Sequence, residues 1–550
     1  MPKAISRRNF VRASAVGAVG VAGVAALAAC GETQVVTKEV PVEVEKIVTQ
    51  VVEKIVKETE VREVPVDRVV TQVVQEVVTQ TQVQEVQVEK VVTQVVEVEK
   101  VVEVEKIVEV EAAPQAVPVA FEHISDHTSG PRAQSMQWAL ERYAQIAPHV
   151  TVVFTPNSGN IGDTIPIRIA AGTMSESALL DGSFIFLFGP DGVFRPINDI
   201  LAKHPDFDPA NYVYLTDQFT ADLDLTWPYR TEWDTSTPIF GMPYQHVAGG
   251  MAWNIDMFEN AGIEEPQDSW SYGGEFRETA KRLTDPEAGT YGTLVLGGGD
   301  IHIWTPMAYG MGAKQLINPE ATHTSIFDDG GIDGLKLAVD LVLQDEVSPP
   351  IEAARELAGE FGNLFQAGKA GMWPRRADGT GYMVASIKDR FRWSLGPQPK
   401  GDVTGTSANH RQDQPHLITD AAFKRGTEEA VVDFLVYMSG PEVQARVAVD
   451  RGFAPVNWEA MSTPAATAPP PLGMEWLEHA LRNYDARRWP KYHPSFLEWL
   501  AFRGMVHPCF LGDETPEESA ANAVAHGDGV LEAGLEGFQR VSDYFGGPTG

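Results

Sequence analysis

Cysteine is nearly missing from this 550-residue chain, which carries only Cys30 and Cys509. At most one intrachain disulfide can form, so the fold must rest on a packed core and not on cross-links. Basic charge is also scarce. Lys and Arg number 43 against 76 Asp and Glu, a formal net charge of −33 at pH 7. Such a surface repels nucleic acid and anionic lipid, because phosphate binding needs clustered Lys and Arg to displace counterions. The acid excess reads as solubility or salt adaptation rather than as a site for a cationic substrate. Catalytic signatures are missing too: there is no His-Glu-x-x-His, no Gly-x-Ser-x-Gly and no Cys/His cluster, which leaves zinc and serine-hydrolase chemistry without support. Gly297-Gly298-Gly299 is not followed by Gly-Lys-Ser/Thr, so it is a flexible approach and not a phosphate loop.

What is present begins with an address. Ser6-Arg7-Arg8-Asn9-Phe10-Val11 precedes a weakly apolar run ending at Leu27-Ala28-Ala29-Cys30. A charged start, an Ala/Val/Gly run and small residues at its end have the layout of an export signal, and the paired arginines point to twin-arginine export. A membrane span would need about twenty strongly apolar residues, and this run is interrupted by Gly17, Gly20 and Gly23. The Leu-Ala-Ala-Cys end resembles the lipobox of bacterial lipoproteins, which implies cleavage after residue 29 and lipidation of Cys30. Cys509 would then have no disulfide partner, and loss of the four cations of residues 1–29 would take the formal charge to −37.

Residues 30–113 are a different material, dominated by Val, Ile, Glu, Lys, Gln and Thr, with Val-Glu-Val-Glu-Lys-Ile at 42 and again at 102 and Val-Glu-Val-Glu-Lys-Val at 96. The spacing admits two readings. Val91, Val95, Val98 and Val102 follow a coiled-coil pattern, whereas Val96 to Val110 alternate as in a strand. Either way this is a repeat without a core of its own, a stalk that holds the following domain away from the lipid.

The remainder, 114–550, exceeds the usual size of one core, so two lobes are expected. Val117 to Ile124 reads as a strand, Gln134 to Ile146 as a helix, Val150 to Phe154 as a strand, Ala248 to Asn254 as a strand and Ile255 to Ala261 as a helix. That alternation predicts an α/β architecture with mostly parallel sheets.

Four patches resemble the bacterial extracellular solute-binding proteins of the sugar type, which serve ABC importers. They are Ile239-Phe240-Gly241-Met242-Pro243-Tyr244 with Gly250-Met251-Ala252-Trp253-Asn254-Ile255-Asp256-Met257-Phe258 and Ala261-Gly262-Ile263; Phe365-Gln366-Ala367-Gly368-Lys369-Ala370-Gly371-Met372; Ala430 to Tyr437 with Ser439-Gly440-Pro441-Glu442-Val443-Gln444 and Pro455-Val456; and Leu511-Gly512-Asp513-Glu514-Thr515-Pro516-Glu517-Glu518. Their order is the family's. The chain departs from it at Ala252-Trp253, where paired tyrosines are commoner, and at Arg375-Arg376-Ala377-Asp378. The resemblance implies a two-lobe periplasmic-binding-protein-like fold of type II with a hinge and ligand cleft, lobe I at about 114–245 and 397–457 and lobe II at about 246–396 and 458–545. It also implies capture of a carbohydrate or related polar solute outside the cytoplasmic membrane, delivery to ABC permease subunits, no cofactor and no covalent chemistry. Lobes of this kind close over a ligand because the closed state gains contacts to both at once.

Carried over by motif, the resemblance implies a ligand set: Asp126 and His127 after the first strand; Asp181 and Ser183; Tyr244 and Gln245 at the inter-lobe crossing; Asp300, His302 and Trp304 after the glycine run; Trp373, Arg375, Arg376 and Asp378 after the Gly371-Met372 strand; and Trp499. Sugars offer flat C–H faces and hydroxyl rims, which suit aromatic platforms and planar polar groups. Adjacent arginines could grip a carboxylate or sulfate bidentately. Plainer readings stand beside these: solvated loop polars for Asp126 and His127, a surface Arg–Asp pair for the 375–378 group, and core packing for Trp227, Tyr229 and Trp233. His123 with His127 reads as a loop pair and not a metal site. Two other classes remain, an exported carbohydrate-active enzyme, since paired carboxylates suffice for glycosidic chemistry, and a stalked adhesin with an exposed binding face.

Overall fold

A computed structural model describes residues 117–213 apart from 158, 238–296 apart from 247 and 248, 301–374, and 380–545 apart from 412, 489 and 491. The chain divides into two units, 1–111 and 112–550. The export segment, Cys30 and the whole of the stalk lie outside the described residues, as do Trp227, Tyr229 and Trp233.

The first sheet has the order β2-β1-β3-β10-β4. β1 (Val119–Ser125) runs parallel to β2 (Val150–Pro156) from Val119 opposite Val150 to Ser125 opposite Pro156, and parallel to β3 (Ser177–Leu179). Alternation sorts its side chains by face. Phe121 and Leu179 join one core with Met136, Tyr143, Phe434 and Val447, while Ile124, Ala178 and Leu180 join Ile165, Phe194 and Phe240 on the other. Between β1 and β2, helix α1 (Gly130–Ile146) carries Pro131 in its first turn, where a missing N–H costs nothing, and buries Ser135, Met136, Ala139 and Tyr143 along one stripe. The Tyr143 hydroxyl donates to Asp433 Oδ2 at 2.6 Å.

Two later strands complete this sheet with reversed polarity. β4 (Gly241–His246) and β10 (Asp413–Ile418) pair antiparallel, and β10 pairs antiparallel with β3. Pro415 lacks a donor for the ladder, and the register shifts between Gln414 and Pro415. Gly241 lies so close to β10 that a Cβ would meet the His416 carbonyl oxygen at 2.0 Å.

The second sheet has the order β6-β7-β5-β8. It joins β5 (Met251–Asn254), β6 (Tyr291–Thr293), β7 (Ala370–Pro374) and β8 (Trp393–Gly396), with only the β6–β7 pair parallel. The expectation of mostly parallel sheets therefore fails: four of the seven pairings in the two main sheets are antiparallel. β4 and β5 are nearly continuous in sequence, and strands on either side of a passage between sheets are free of the crossover geometry that βαβ units impose. A small parallel pair joins β9 (Ala408–Arg411) to β11 (Asp485–Arg488).

Around the second sheet lies the larger core. Helix α2 (Ile255–Asn260) is capped by the Asn254 side chain, which accepts from Met257 N at 3.1 Å. Helix α3 (Ile301–Met311) is buried nearly all round and packs on α4 (Gly331–Leu343), where a Cβ on Gly334 would meet Ala308 backbone at 2.3 Å. Residues 397–411, expected with the first lobe, pack with this core: Gln398 Nε2 donates to the Tyr272 hydroxyl at 3.1 Å, and Lys400 N donates to Trp270 O at 2.7 Å. Helix α5 (Thr380–Ile387) meets the end of α7 (Pro441–Arg451), which follows α6 (Glu428–Met438). Helix α8 (Pro516–Ala533) starts with a reciprocal cap between Thr515 and Glu518. Among the described residues no helix is long and apolar enough to cross a membrane.

Candidate functional site

In open α/β sheets, ligands gather beyond the carboxyl ends of the strands, where chain direction changes. At that edge of the first sheet the parallel strands β1 and β3 end, β4 ends, and antiparallel β10 begins. One polar group from each converges there. β1 runs into Asp126-His127, where the His127 N–H donates to Ser125 Oγ at 3.0 Å and Asp126 Oδ2 lies 3.5 Å from Arg132. From β4 and β10, Gln245 Nε2 donates to Gln414 Oε1 at 2.5 Å.

Behind this edge runs a file of buried rings. His127 packs on Tyr244 with centroids 5.6 Å apart, Tyr244 on His416 at 4.4 Å, and His416 on His123 at 5.0 Å. All four side chains are almost fully buried. His123 Nδ1 lies 2.9 Å from Ser177 Oγ, whereas both ring nitrogens of His127 and His416 and the Tyr244 hydroxyl have no hydrogen-bond partner. Burial pushes the His123 pKa down to about 3 and those of His127 and His416 well below the usual value; for His127 the charges of Arg451 and Arg132 act in the same direction. The imidazoles are therefore neutral at pH 7. Each then has one donor and one acceptor nitrogen.

Tyr244 is fixed from behind. Gln444, fully buried at the start of α7, donates to Tyr244 O and to Met438 O at 3.0 Å each, and its oxygen accepts from Val456 N at 3.0 Å. Ser439 Oγ donates to Pro243 O. Arg451, the last residue of α7, is fully buried beside Tyr244 with its guanidinium 4.3 Å from the Phe453 ring centre. The next residue joins the lobes, since Gly452 O accepts from Thr380 Oγ1 of α5 at 3.1 Å.

The structure brings Asp126, His127, Tyr244 and Gln245 to one edge and does not bring the tryptophans to it. Trp304 is fully buried on α3, stacked on Phe327 at 5.6 Å. Trp499 is fully buried, its indole N–H donating to Thr324 Oγ1 at 3.0 Å and its ring 4.7 Å from Phe502. Trp373 sits within the second core, 6.2 Å from Phe365. None of the three turns an open face outward here. Asp181 follows β3 at the same edge as the first group, and its carboxylate accepts from Ser183 N at 3.0 Å, capping a short helical turn in which Ser183 is buried. His302 is half-buried in the first turn of α3. Asp300, Arg375, Arg376 and Asp378 lie outside the described residues.

His123 lies inside β1 and not in a loop, since the strand runs through Ser125. It, His416, Gln414 and Arg451 are the residues that motif reasoning missed. The one signal was period: His123 shares the inward face of Phe121, and His416 the face of Ile418. No group of three or more side chains suited to a metal occurs among the described residues. A separate groove of about 1160 Å³ runs past Trp253, Glu264, Arg392 and Trp476 on the outer side of β8, where Leu395 N donates to Leu472 O at 2.9 Å, and Asp126, His127, Tyr244, Gln245 and Gln414 do not line it.

The sequence profile of the bacterial extracellular solute-binding proteins matches residues 127–445. The chain belongs to that family. Its members bind solutes outside the cytoplasm and are not enzymes. Solved structures of like fold include an ABC substrate-binding protein of Listeria monocytogenes in complex with cycloalternan (TM-score 0.60, 18% identity, 76% of this chain and 99% of that one). Another is the GacH receptor of Streptomyces glaucescens, seen unliganded and with acarbose (0.58, 17%, 76% and 99%). A third is maltose-bound MalE3 of T. maritima (0.57, 18%, 76% and 99%). At these identities the likeness is one of fold: two α/β lobes of the type II periplasmic-binding-protein kind.

Proposed function

We propose that this chain is the substrate-binding component of an ABC importer that captures an oligosaccharide in the cleft at the first sheet's carboxyl edge and hands it to the permease. The observation that carries the reading is the convergence of Asp126, His127, Tyr244, Gln245 and Gln414 at a strand edge. Planar amides, a carboxylate, an imidazole and a phenol match a hydroxyl rim. The passage at 452–457 serves as a hinge segment, and Asp300, Arg375, Arg376 and Asp378, which lie outside the described residues, are kept as candidate ligand groups in the same reading. Three solved proteins of the same fold hold cycloalternan, acarbose or maltose, which favours a carbohydrate over an amino acid. In the same reading Cys30 carries the lipid after twin-arginine export, and the Val/Glu/Lys repeat is a passive spacer.

The test is thermal unfolding of the full chain against neutral and acidic oligosaccharides, polyols, amino acids and peptides, with chromatography of each mixture. Selective binding adds RT ln(1 + [L]/Kd) to stability, about 2.7 kcal/mol at a hundredfold excess over Kd. A saccharide that stabilises and is recovered intact supports the receptor. A saccharide that is cleaved supports the enzyme, and silence from every saccharide refutes the carbohydrate reading.

A further inference from the structure

Arg451 is the least expected side chain in the molecule. It is fully buried, its Nε and both terminal nitrogens have no hydrogen-bond partner, and no carboxylate lies within ion-pair distance of it among the described residues. The acid that precedes it in the chain, Asp450, is engaged with Arg446 at 2.7 Å. Its own neighbours, the Tyr244 hydroxyl and the neutral His127 ring, carry no charge to balance it and also have unsatisfied polar atoms. Arg132 and Tyr382 also fall within its electrostatic reach. A buried guanidinium without a counter-charge is costly, and its planar fork is matched best by a two-oxygen anion.

Its place in the fold says when that cost falls due. Arg451 ends α7 at the seam between the lobes, where Thr380 bonds Gly452 O, Gly381 lies against the Arg451 backbone, and Tyr382 approaches Gly130 at the head of α1. Parting the lobes there would return the guanidinium to water, and bringing them together strips the water away. We infer that Arg451 anchors an anionic group of the ligand. The cleft takes an acidic saccharide, bearing a carboxylate or a sulfate ester, and the lobes close fully when that group meets the guanidinium. A neutral hydroxyl can accept one hydrogen bond but leaves the charge uncompensated. The inference rests on the carbohydrate reading for the body of the ligand and on Arg451 alone for its charge.

The experiment is titration calorimetry of the full chain with matched probes: trigalacturonate against its methyl ester, and a sulfated galactotriose against galactotriose. Arg451→Met and Arg451→Lys are titrated alongside, and inorganic sulfate is tested by thermal unfolding. At least one charged probe should bind wild type tenfold or more tighter than its neutral partner, and which one does so separates carboxylate from sulfate. The ratio should fall to within twofold in Arg451→Met and stay intermediate in Arg451→Lys. Free Arg451→Met should melt at or above the wild-type temperature, because an apolar chain replaces an unpaired buried cation; a marked fall would make the guanidinium a structural partner and overturn the inference. Equal affinity for charged and neutral probes overturns the anion anchor and leaves the carbohydrate reading standing. If no saccharide binds yet sulfate stabilises wild type and not Arg451→Met, the anchor stands and the carbohydrate reading falls. Silence toward saccharides and sulfate together overturns both.

Discussion

Acidification from pH 7.5 to 5.0 should cost this protein a large part of its stability, and the buried file of imidazoles sets the amount. In the unfolded chain a histidine titrates near 6.5, whereas burial holds His123 at about 3 and His127 and His416 well below their ordinary value. As pH falls, the unfolded chain therefore takes up protons that the folded chain refuses. The stability is fully present above about 6.5 and is lost below it, down to the folded values. By pH 5.0 His123 contributes a loss of RT ln(1 + 10^1.5), about 2 kcal/mol, and His127 and His416 add losses of the same sign. His493, pushed down to about 4 by burial, acts in the same sense. His323 acts the other way, because its hydrogen bond to Asp528 raises its pKa and adds stability at acid pH that is lost as pH rises through the folded value. Domain stabilities are commonly about 5–15 kcal/mol, so the loss is a sizeable share. Urea unfolding of the full chain at pH 7.5, 6.5, 5.5 and 5.0 measures it, and His416→Gln should reduce the loss. A free energy of unfolding that stays flat to within about 1 kcal/mol over this range would refute the neutral, buried assignment of all three rings.

Other substitutions separate packing from binding. Gly241→Ala drives a methyl into the His416 carbonyl at 2.0 Å and should destabilise by about 3 kcal/mol or more, measured by chemical unfolding. Trp499→Phe removes the hydrogen bond to Thr324 and some packed area; a loss of about 1–3 kcal/mol with saccharide affinity unchanged within twofold is expected, and a loss of affinity alone would return Trp499 to the ligand site. Tyr244→Phe removes a buried hydroxyl that has no partner, so free-protein stability should hold or rise while ligand affinity falls about tenfold, the worth of one hydrogen bond.

Much of the fold is legible in the chain. The strand read at Val117 to Ile124 forms at Val119–Ser125, and the helix read from Ile255 ends at Asn260. Helix α1 begins four residues before its predicted start because Pro131, a breaker inside a helix, is welcome in its first turn. The strand read from Ala248 begins only at Met251, since Gly249 and Gly250 belong to the passage between sheets. The site is less legible, for reasons of environment. Arg451 ends an amphipathic helix, where a basic residue ordinarily meets the carbonyl dipoles and solvent, and only the tertiary fold buries it. A tryptophan has the same sequence appearance as a sugar platform or as core, and Trp304 and Trp499 are settled by neighbours far away in the chain, Phe327 and Thr324. The histidines on β1 and β10 come together only through a sheet whose strand order joins residues nearly three hundred positions apart.

Closure on a saccharide tests the account most directly. Spin labels at Ile167, exposed among the elements of the first sheet, and Val403, exposed beside the end of α3, report the separation of the two lobes by pulsed electron resonance. The distance distribution should shorten and narrow when a stabilising oligosaccharide is added, with the sugar recovered intact. A distribution that does not move at saturating saccharide would contradict capture between the lobes.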